Sequence, residues 1–207
     1  MCGRIYIDDG TEREVRRIIG ALKRGQKDQE PAEAGSLLTD PESGVKDIHP
    51  SEKAAVLAAP QGAFLLEAMR WGFPSFRSGQ LLINARCESA LEKPVFAESL
   101  RSRRCVIPAA GFYEWDREKN KVTFYAPEQP CIYLAGFYNL FDSQDRFIIL
   151  TREANEDMAP VHDRMPLILP EEEIGDWILE PGKTKEYLQR EPVHLARKQD
   201  YEQMTLF

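Results

Sequence analysis

Cysteine and histidine are scarce in this chain of 207 residues, with four of the first and three of the second. Cys2, Cys87, Cys105 and Cys131 lie far apart and form no C-x-x-C pair. That spacing argues against a zinc ribbon and against a disulfide framework, so no metal is expected. The thiols are expected to be reduced, as in the cytoplasm. No apolar run approaches the ~20 residues of a membrane span, so no transmembrane helix and no membrane partner are expected. The opening residues, MCGRIYIDDG, lack the basic region and apolar stretch of a secretory signal. No internal repeat and no domain boundary stand out, and one domain over 1–207 is expected. Wholesale disorder is excluded by composition, since 43% of residues are hydrophobic.

Positive charge is also in deficit. The 27 Lys and Arg face 34 Asp and Glu, for a net charge of −7, which for the whole chain argues against nucleic acid. The acids are unevenly spread, however. Residues 28–47 hold six acids and one base, and residues 171–180 hold five acids and no base. Outside those windows, 26 bases face 23 acids. Residues 70–104 carry seven bases against three acids, enough for a phosphate-binding face on an acidic protein. On charge alone a solvated mixed surface is the plainer reading.

Local patterns predict an α+β fold. Residues 1–8 read as a short strand. Thr11 and Glu14 form a T-x-x-E capping box, and Val15, Ile18, Ile19 and Leu22 fall at helical spacing over 12–24. Residues 25–47 are polar and acidic and read as a surface loop. Short strand-like runs follow at 53–59, 63–70, 80–86, 104–108, 110–115, 121–126, 131–138 and 146–151. Helices are expected at 93–101, 153–158, 171–179 and 183–190. Many short strands and few helices point to a curved, barrel-like, mainly antiparallel sheet with flanking helices.

Four stretches carry residues able to do chemistry. Trimming of Met1 would leave Cys2 with an α-amine and a thiol on adjacent carbons. An aldehyde condenses with such an amine to an imine, and the thiol then closes a five-membered thiazolidine ring. Neither lysine nor an internal cysteine can complete that sequence. Gly3 permits close backbone approach, and Arg4 carries a rigid fork suited to phosphate. In LLINARCES, strand alternation sets Asn84 and Arg86 on one face, either as site residues or as ordinary polar contacts of an edge strand. In GFYEW, Glu114 lies between aromatics, where burial would suit it to proton transfer; an outward-facing glutamate is the alternative. In HDRMPLIL, His162 precedes an apolar strand and is the histidine best placed to shuttle protons, though a structural histidine fits as well. Aromatics among these stretches could stack bases.

MCGR at the start, WGF-P at 71–74, NAR-ES at 84–89, RRC-IPA-GFYEW at 103–115 and HDRMPLIL at 162–169 together resemble the SOS response-associated peptidase (SRAP) family. The order and approximate spacing of all five blocks agree. The resemblance implies a protein of the DNA-damage response that binds single-stranded DNA and links covalently to abasic sites. Cys2 would attack the ring-opened sugar. Asn84 would orient sugar and cysteine, Glu114 would move protons, and His162 would assist ring opening. Gly3, Arg4, Trp71, Pro74, Phe76, Arg86, Thr151 and Arg164 would meet the DNA. The word peptidase would refer to removal of Met1, a hydrolase step beside the lyase-like chemistry at DNA. No cofactor is implied. A monomer in a bacterial-type cytoplasm, at the nucleoid when DNA is damaged, is expected.

The chain departs from that family in places. The run WGFPSF is shorter than the family's, with Phe76 where a tryptophan is usual. The acidic stretch 25–47 and the residues past about 190 do not align. Two other readings stay open: a thiol peptidase acting in trans through Cys2, and a non-catalytic binder of single strands.

Overall fold

The structure is a computed structural model that describes residues 2–23, 44–77 and 79–199. Most of the acidic stretch read as a surface loop, residues 24–43, and the end of the chain, residues 200–207, lie outside the described residues.

In chain order the elements are β1 (Ile5–Asp8), α1 (Asp9–Lys23), β2 (Val45–Ile48), β3 (Lys53–Ala58), β4 (Leu65–Trp71), β5 (Phe73–Pro74), β6 (Leu81–Leu82) and β7 (Asn84–Arg86). Then come α2 (Pro94–Ser102), β8 (Arg104–Ala109), β9 (Gly111–Trp115), β10 (Lys121–Tyr125), β11 (Ile132–Phe141) and β12 (Gln144–Glu153). The chain continues through β13 (Arg164–Pro166), β14 (Ile168–Leu169), α3 (Ile174–Leu179), α4 (Thr184–Leu188) and β15 (Ala196–Gln199).

Five strands close on themselves. β4 pairs with β3, β3 with β8, β8 with β11 and β11 with β12, all antiparallel. A parallel pairing of β12 with β4 completes the ring. Closure removes the exposed edges that an open sheet would present. Its inward side chains include Trp71 and Phe147, level with each other on β4 and β12 and both fully buried. β7 and β13 attach to the far half of β12, and β14 to β11. A second, wholly antiparallel sheet runs in the order β15-β10-β9-β1-β2. The expected α+β architecture around a barrel-like, mainly antiparallel sheet is therefore the observed one.

β8 and β9 form one path that leaves the barrel at Ala110 and enters the second sheet. Gly111 makes the corner possible. A Cβ there would stand 2.3 Å from the Phe124 carbonyl oxygen and 2.8 Å from the Tyr6 ring. Without one, β9 fits between β1 and β10.

The start of α1 differs from expectation. Asp8 Oδ1 accepts the Thr11 main-chain N–H at 2.8 Å and the Thr11 hydroxyl at 2.9 Å. A carboxylate just before the helix is a strong acceptor for its first free N–H groups. Asp8 therefore caps the helix in place of the Thr11–Glu14 box, and Glu14 turns to Arg17 at 2.8 Å.

Two other expectations are corrected. Residues 153–158 are not helical. β12 runs on to Glu153, paired with Arg164, and Asn155 Oδ1 then accepts the Met158 N–H at 3.1 Å to make a turn. Residues 45–48, placed partly in the acidic loop, form β2 because β1 supplies partners for their backbone. Helices α2, α3 and α4 fall within or one residue beyond the expected spans.

Arg104, counted in the basic stretch, is a structural cation. It is buried and donates to the carbonyls of Trp177 at 2.5 Å and Ile178 at 3.0 Å, near the end of α3. It also meets the Leu100 carbonyl at 3.3 Å, toward the end of α2. Helix C-termini carry partial negative charge, which a guanidinium offsets. Arg103 reaches Glu98 at 3.2 Å. The phosphate-binding capacity of residues 70–104 is smaller than the raw charge suggests.

Candidate active site and nucleic-acid interface

The chain enters β1 through Cys2, Gly3 and Arg4. The Arg4 carbonyl accepts the Tyr113 N–H at 2.9 Å, extending the β1–β9 pairing toward the start of the chain. The next step of that register brings Glu114 to the level of Gly3. Cys2 itself has no exposed surface. Its main-chain carbonyl accepts the Asn84 side-chain N–H at 2.8 Å. Asn84 Oδ1 is also buried, and no donor meets it among the described residues. Burial pushes the Cys2 thiol well above its ordinary pKa, and the nearby Glu114 carboxylate pushes it further. The resident form near neutral pH is the protonated thiol. Glu114, only 5% exposed, is the buried carboxylate that the FYEW motif left as one of two options.

β7 presents its residues as alternation requires. Ala85 is buried against the barrel, while Asn84 is half-buried and Arg86 exposed. Arg86 has no hydrogen-bond or ion-pair partner among the described residues, which leaves its guanidinium available to a phosphate.

Arg164 and Thr151 are placed differently from expectation. Thr151 is wholly buried. Its carbonyl accepts Cys87 N–H at 2.8 Å and an Arg164 N–H at 2.7 Å. Arg164 is 9% exposed and makes a two-bond pair with Glu88, both at 2.8 Å. A strand of DNA would have to displace Glu88 to reach it. In the protein without DNA these contacts fix β7 and β13 against β12. His162 joins the group through the Arg164 main-chain N–H, which donates to His162 Nδ1 at 2.9 Å. The Asp163 carboxylate lies 2.8 Å from the same nitrogen, but one nitrogen cannot both accept and donate. Asp163 is 86% exposed, so the backbone bond governs in the neutral ring and leaves its proton on Nε2.

WGFPSF divides between core and surface. Trp71 has no exposed surface, donates its indole N–H to the Ile83 carbonyl at 2.9 Å and stacks on Phe147. β4 is a barrel strand that turns Trp71 inward, into the core. Gly72 adopts φ +106°, open to glycine, and a Cβ there would press on Leu81 at 3.2 Å. Beyond that bend Pro74 is exposed, and Phe76, between β5 and β6, is fully so.

Arg4 is half-buried and ion-paired with Asp47. Gly3 is half-buried beside it. Trp115, next to Glu114 but on the opposite face of β9, is 40% exposed and was not singled out from sequence. Its signal was in the motif: alternation that buries Glu114 turns Trp115 outward. A cleft of about 1200 Å³ lies elsewhere, lined by Cys87, Arg101, Arg152 and Lys185 among others and by none of Cys2, Asn84, Glu114 or His162. Among the described residues no group of three or more His, Cys, Asp and Glu could hold a metal ion, and no helix is long and apolar enough to cross a membrane.

The arrangement thus joins a buried cysteine near the start of the chain, an amide on its carbonyl and a carboxylate beside its thiol; Arg86, Trp115 and Phe76 are exposed. A family model described as SOS response associated peptidase (SRAP) matches residues 1–206. The abasic site processing protein YoaM of Bacillus subtilis is 32% identical over 157 residues, covering 69% of each chain. The abasic site processing protein YedK of Escherichia coli is 29% identical over 157 residues, covering 71% of this chain and 70% of its own. A crystal structure of a Bacteroides thetaiotaomicron protein superposes with a TM-score of 0.73 at 20% identity, covering 97% of this chain and 93% of that one. That likeness shows a shared fold.

Proposed function

This chain belongs to the SOS response associated peptidase family, and on that footing we propose that it binds single-stranded DNA and forms a covalent link with abasic sites through Cys2. The single observation that carries the reading is the seat of Cys2, held by Asn84 and flanked by Glu114. The names of its relatives, abasic site processing proteins, agree with it.

Removal of Met1 frees the Cys2 amine. That amine adds to the aldehyde carbon of the ring-opened abasic sugar, and loss of one water gives the imine. The Cys2 sulfur then bonds to the imine carbon while its proton passes to nitrogen, closing the thiazolidine. The net change is aldehyde plus aminothiol to ring plus water. The Cys2 thiol is held protonated, so ring closure needs a base acting in the same step. Glu114 is the group for that step and for the dehydration before it. Asn84 fixes the Cys2 backbone, and its buried Oδ1 offers an acceptor to the freed amine. His162, with its proton on Nε2, assists opening of the sugar ring. Arg86 grips a phosphate beside the lesion, and Phe76, Pro74 and Trp115 give apolar surface to flanking bases. Removal of Met1 by the chain itself accounts for the peptidase in the family's description. The protein acts as a monomer in the cytoplasm, reaching the nucleoid when DNA is damaged.

The test mixes Met1-trimmed protein with single-stranded DNA bearing one abasic site, followed by a denaturing gel. Wild type should give a heat-stable adduct and Cys2→Ala none. Equal adduct from the two proteins, or none from wild type of confirmed mass, defeats the reading.

A further inference from the structure

Asp47 is the last acid of the stretch that resisted alignment, and it lies on β2 directly across from Tyr6. Its Oδ2 forms an ion pair with the Arg4 guanidinium. Its Oδ1 accepts the Tyr113 hydroxyl at 3.2 Å. The Arg4 guanidinium lies over the Tyr113 ring, 5.3 Å from its centre, and Tyr6 stacks on the same ring at 5.0 Å. Lys121 covers the ring as well, with its ammonium 3.9 Å from the centre. The Arg4 and Asp47 side chains remain 27% and 31% exposed. Arg4, two residues from the nucleophile, is therefore neutralised within the free protein, at a place where the pair can open.

We propose that Asp47 is a specificity-determining residue, a carboxylate standing in for phosphate that Arg4 must release before it grips DNA. The inference rests on the reading of this site as one for single-stranded DNA with Arg4 at a phosphate. When a phosphate takes Arg4, one ion pair replaces another, and the released carboxylate stays beside the strand, held by Tyr113. The gain from the Arg4 contact is reduced for every strand alike. At an abasic site the covalent bond makes up the loss; on intact DNA nothing does. Specificity is a difference of affinities, and a repulsive element raises it by weakening the wrong complex. The acid thereby shortens occupancy of undamaged single strands.

The test measures binding of trimmed protein to a labelled, undamaged single-stranded oligonucleotide by fluorescence anisotropy across a salt series. Asp47→Asn keeps an acceptor for Tyr113 and removes the charge, and Asp47→Ser is a second neutral variant. Thermal unfolding confirms that each is folded. Both should bind about two- to five-fold more tightly than wild type, the range of a partly exposed ion pair. The salt dependence should steepen by about 0.7 in log–log slope, the increment for one phosphate on a single strand. In an Arg4→Gln background the same substitutions should change little. Unchanged or weaker binding by both neutral variants overturns the inference, as does equal tightening with and without Arg4. If Arg4→Gln alone binds like wild type, the failure lies in the underlying placement of Arg4 on phosphate.

Discussion

The side-chain amide of Asn84 donates to the main-chain carbonyl of Cys2 at 2.8 Å, joining positions 82 residues apart. β7 is itself held in parallel register with β12, Asn84 level with Ile149, so the barrel sets where the start of the chain lies. Loss of this bond frees Cys2 to move relative to Glu114. Asn84→Ala should slow adduct formation by about ten- to a hundred-fold, the scale of an ångström's misplacement at a reacting group. The readout is a time course on denaturing gels with saturating abasic-site DNA. A rate within two-fold of wild type would remove Asn84 from the mechanism.

Phe76 is fully exposed between β5 and β6, while Phe73, three residues earlier, is buried against Phe137 and Phe141. The first ring contributes nothing visible to the core. Phe76→Ala should leave the unfolding temperature within about 1 °C of wild type. It should weaken binding of single-stranded DNA by about five-fold or more, since stacking on one base contributes roughly 1–3 kcal/mol. Phe76→Trp should restore or exceed wild-type affinity. A variant that unfolds early but binds normally would show the ring to be structural.

Much of this architecture was legible locally. The runs that became β9–β12 announce themselves by β-branched and aromatic content, those of β3 and β4 by apolar residues between polar turns, and Val15, Ile18 and Ile19 mark the buried face of α1. The closure of the barrel was not legible, because β12 pairs with β11, β4, β7 and β13 in turn and sequence pattern carries no partner information. Site chemistry showed the same division. Cys2, Asn84 and Glu114 were recognisable by type and context, and the structure brings them together. Trp71, Thr151 and Arg164 carry side chains suited to DNA, but their burial depends on distant strands and has no local signal. The Arg4–Asp47 pair spans 43 positions and had no local signal.

Arg164 illustrates the energetic consequence. Its side chain is 11% exposed, and its two terminal nitrogens meet Glu88. Removal of the acid leaves a guanidinium largely desolvated with only the Thr151 carbonyl as acceptor. Glu88→Gln should destabilise the protein by about 1–2 kcal/mol, less than for a deeply buried pair because Glu88 is itself half exposed. The Arg164 hydrogen bonds hold the Glu88 carboxyl below the ordinary carboxylate range. The stabilisation is therefore present above the unfolded-state value and fades as pH falls through the folded one. Urea titrations of wild type and Glu88→Gln at neutral pH and below about pH 4 should converge at the acid end. A constant gap across pH would assign the loss to packing instead of charge.

The four buried thiols make the opposite prediction at high pH. Burial raises the pKa of Cys2, Cys105 and Cys131 well above the ordinary thiol value, and burial with Glu88 pushes Cys87 up to about 12. In the unfolded chain these groups lose their protons near pH 8.5–9, roughly the free-thiol range. Below that range both states are protonated and the thiols leave stability unaffected by pH. Above it the unfolded state binds fewer protons, so stability falls as pH rises, by about 1.4 kcal/mol per thiol per pH unit once titration is complete. Urea midpoints in the presence of reductant should therefore be level up to about pH 8 and drop toward about pH 9.5, below the ordinary tyrosine range. Cys131→Ala lowers the whole curve by its cavity cost but should also flatten the alkaline limb by one proton's share. That change of slope separates ionisation from packing: a variant whose limb stays parallel to wild type would mean that Cys131 ionises alike in both states.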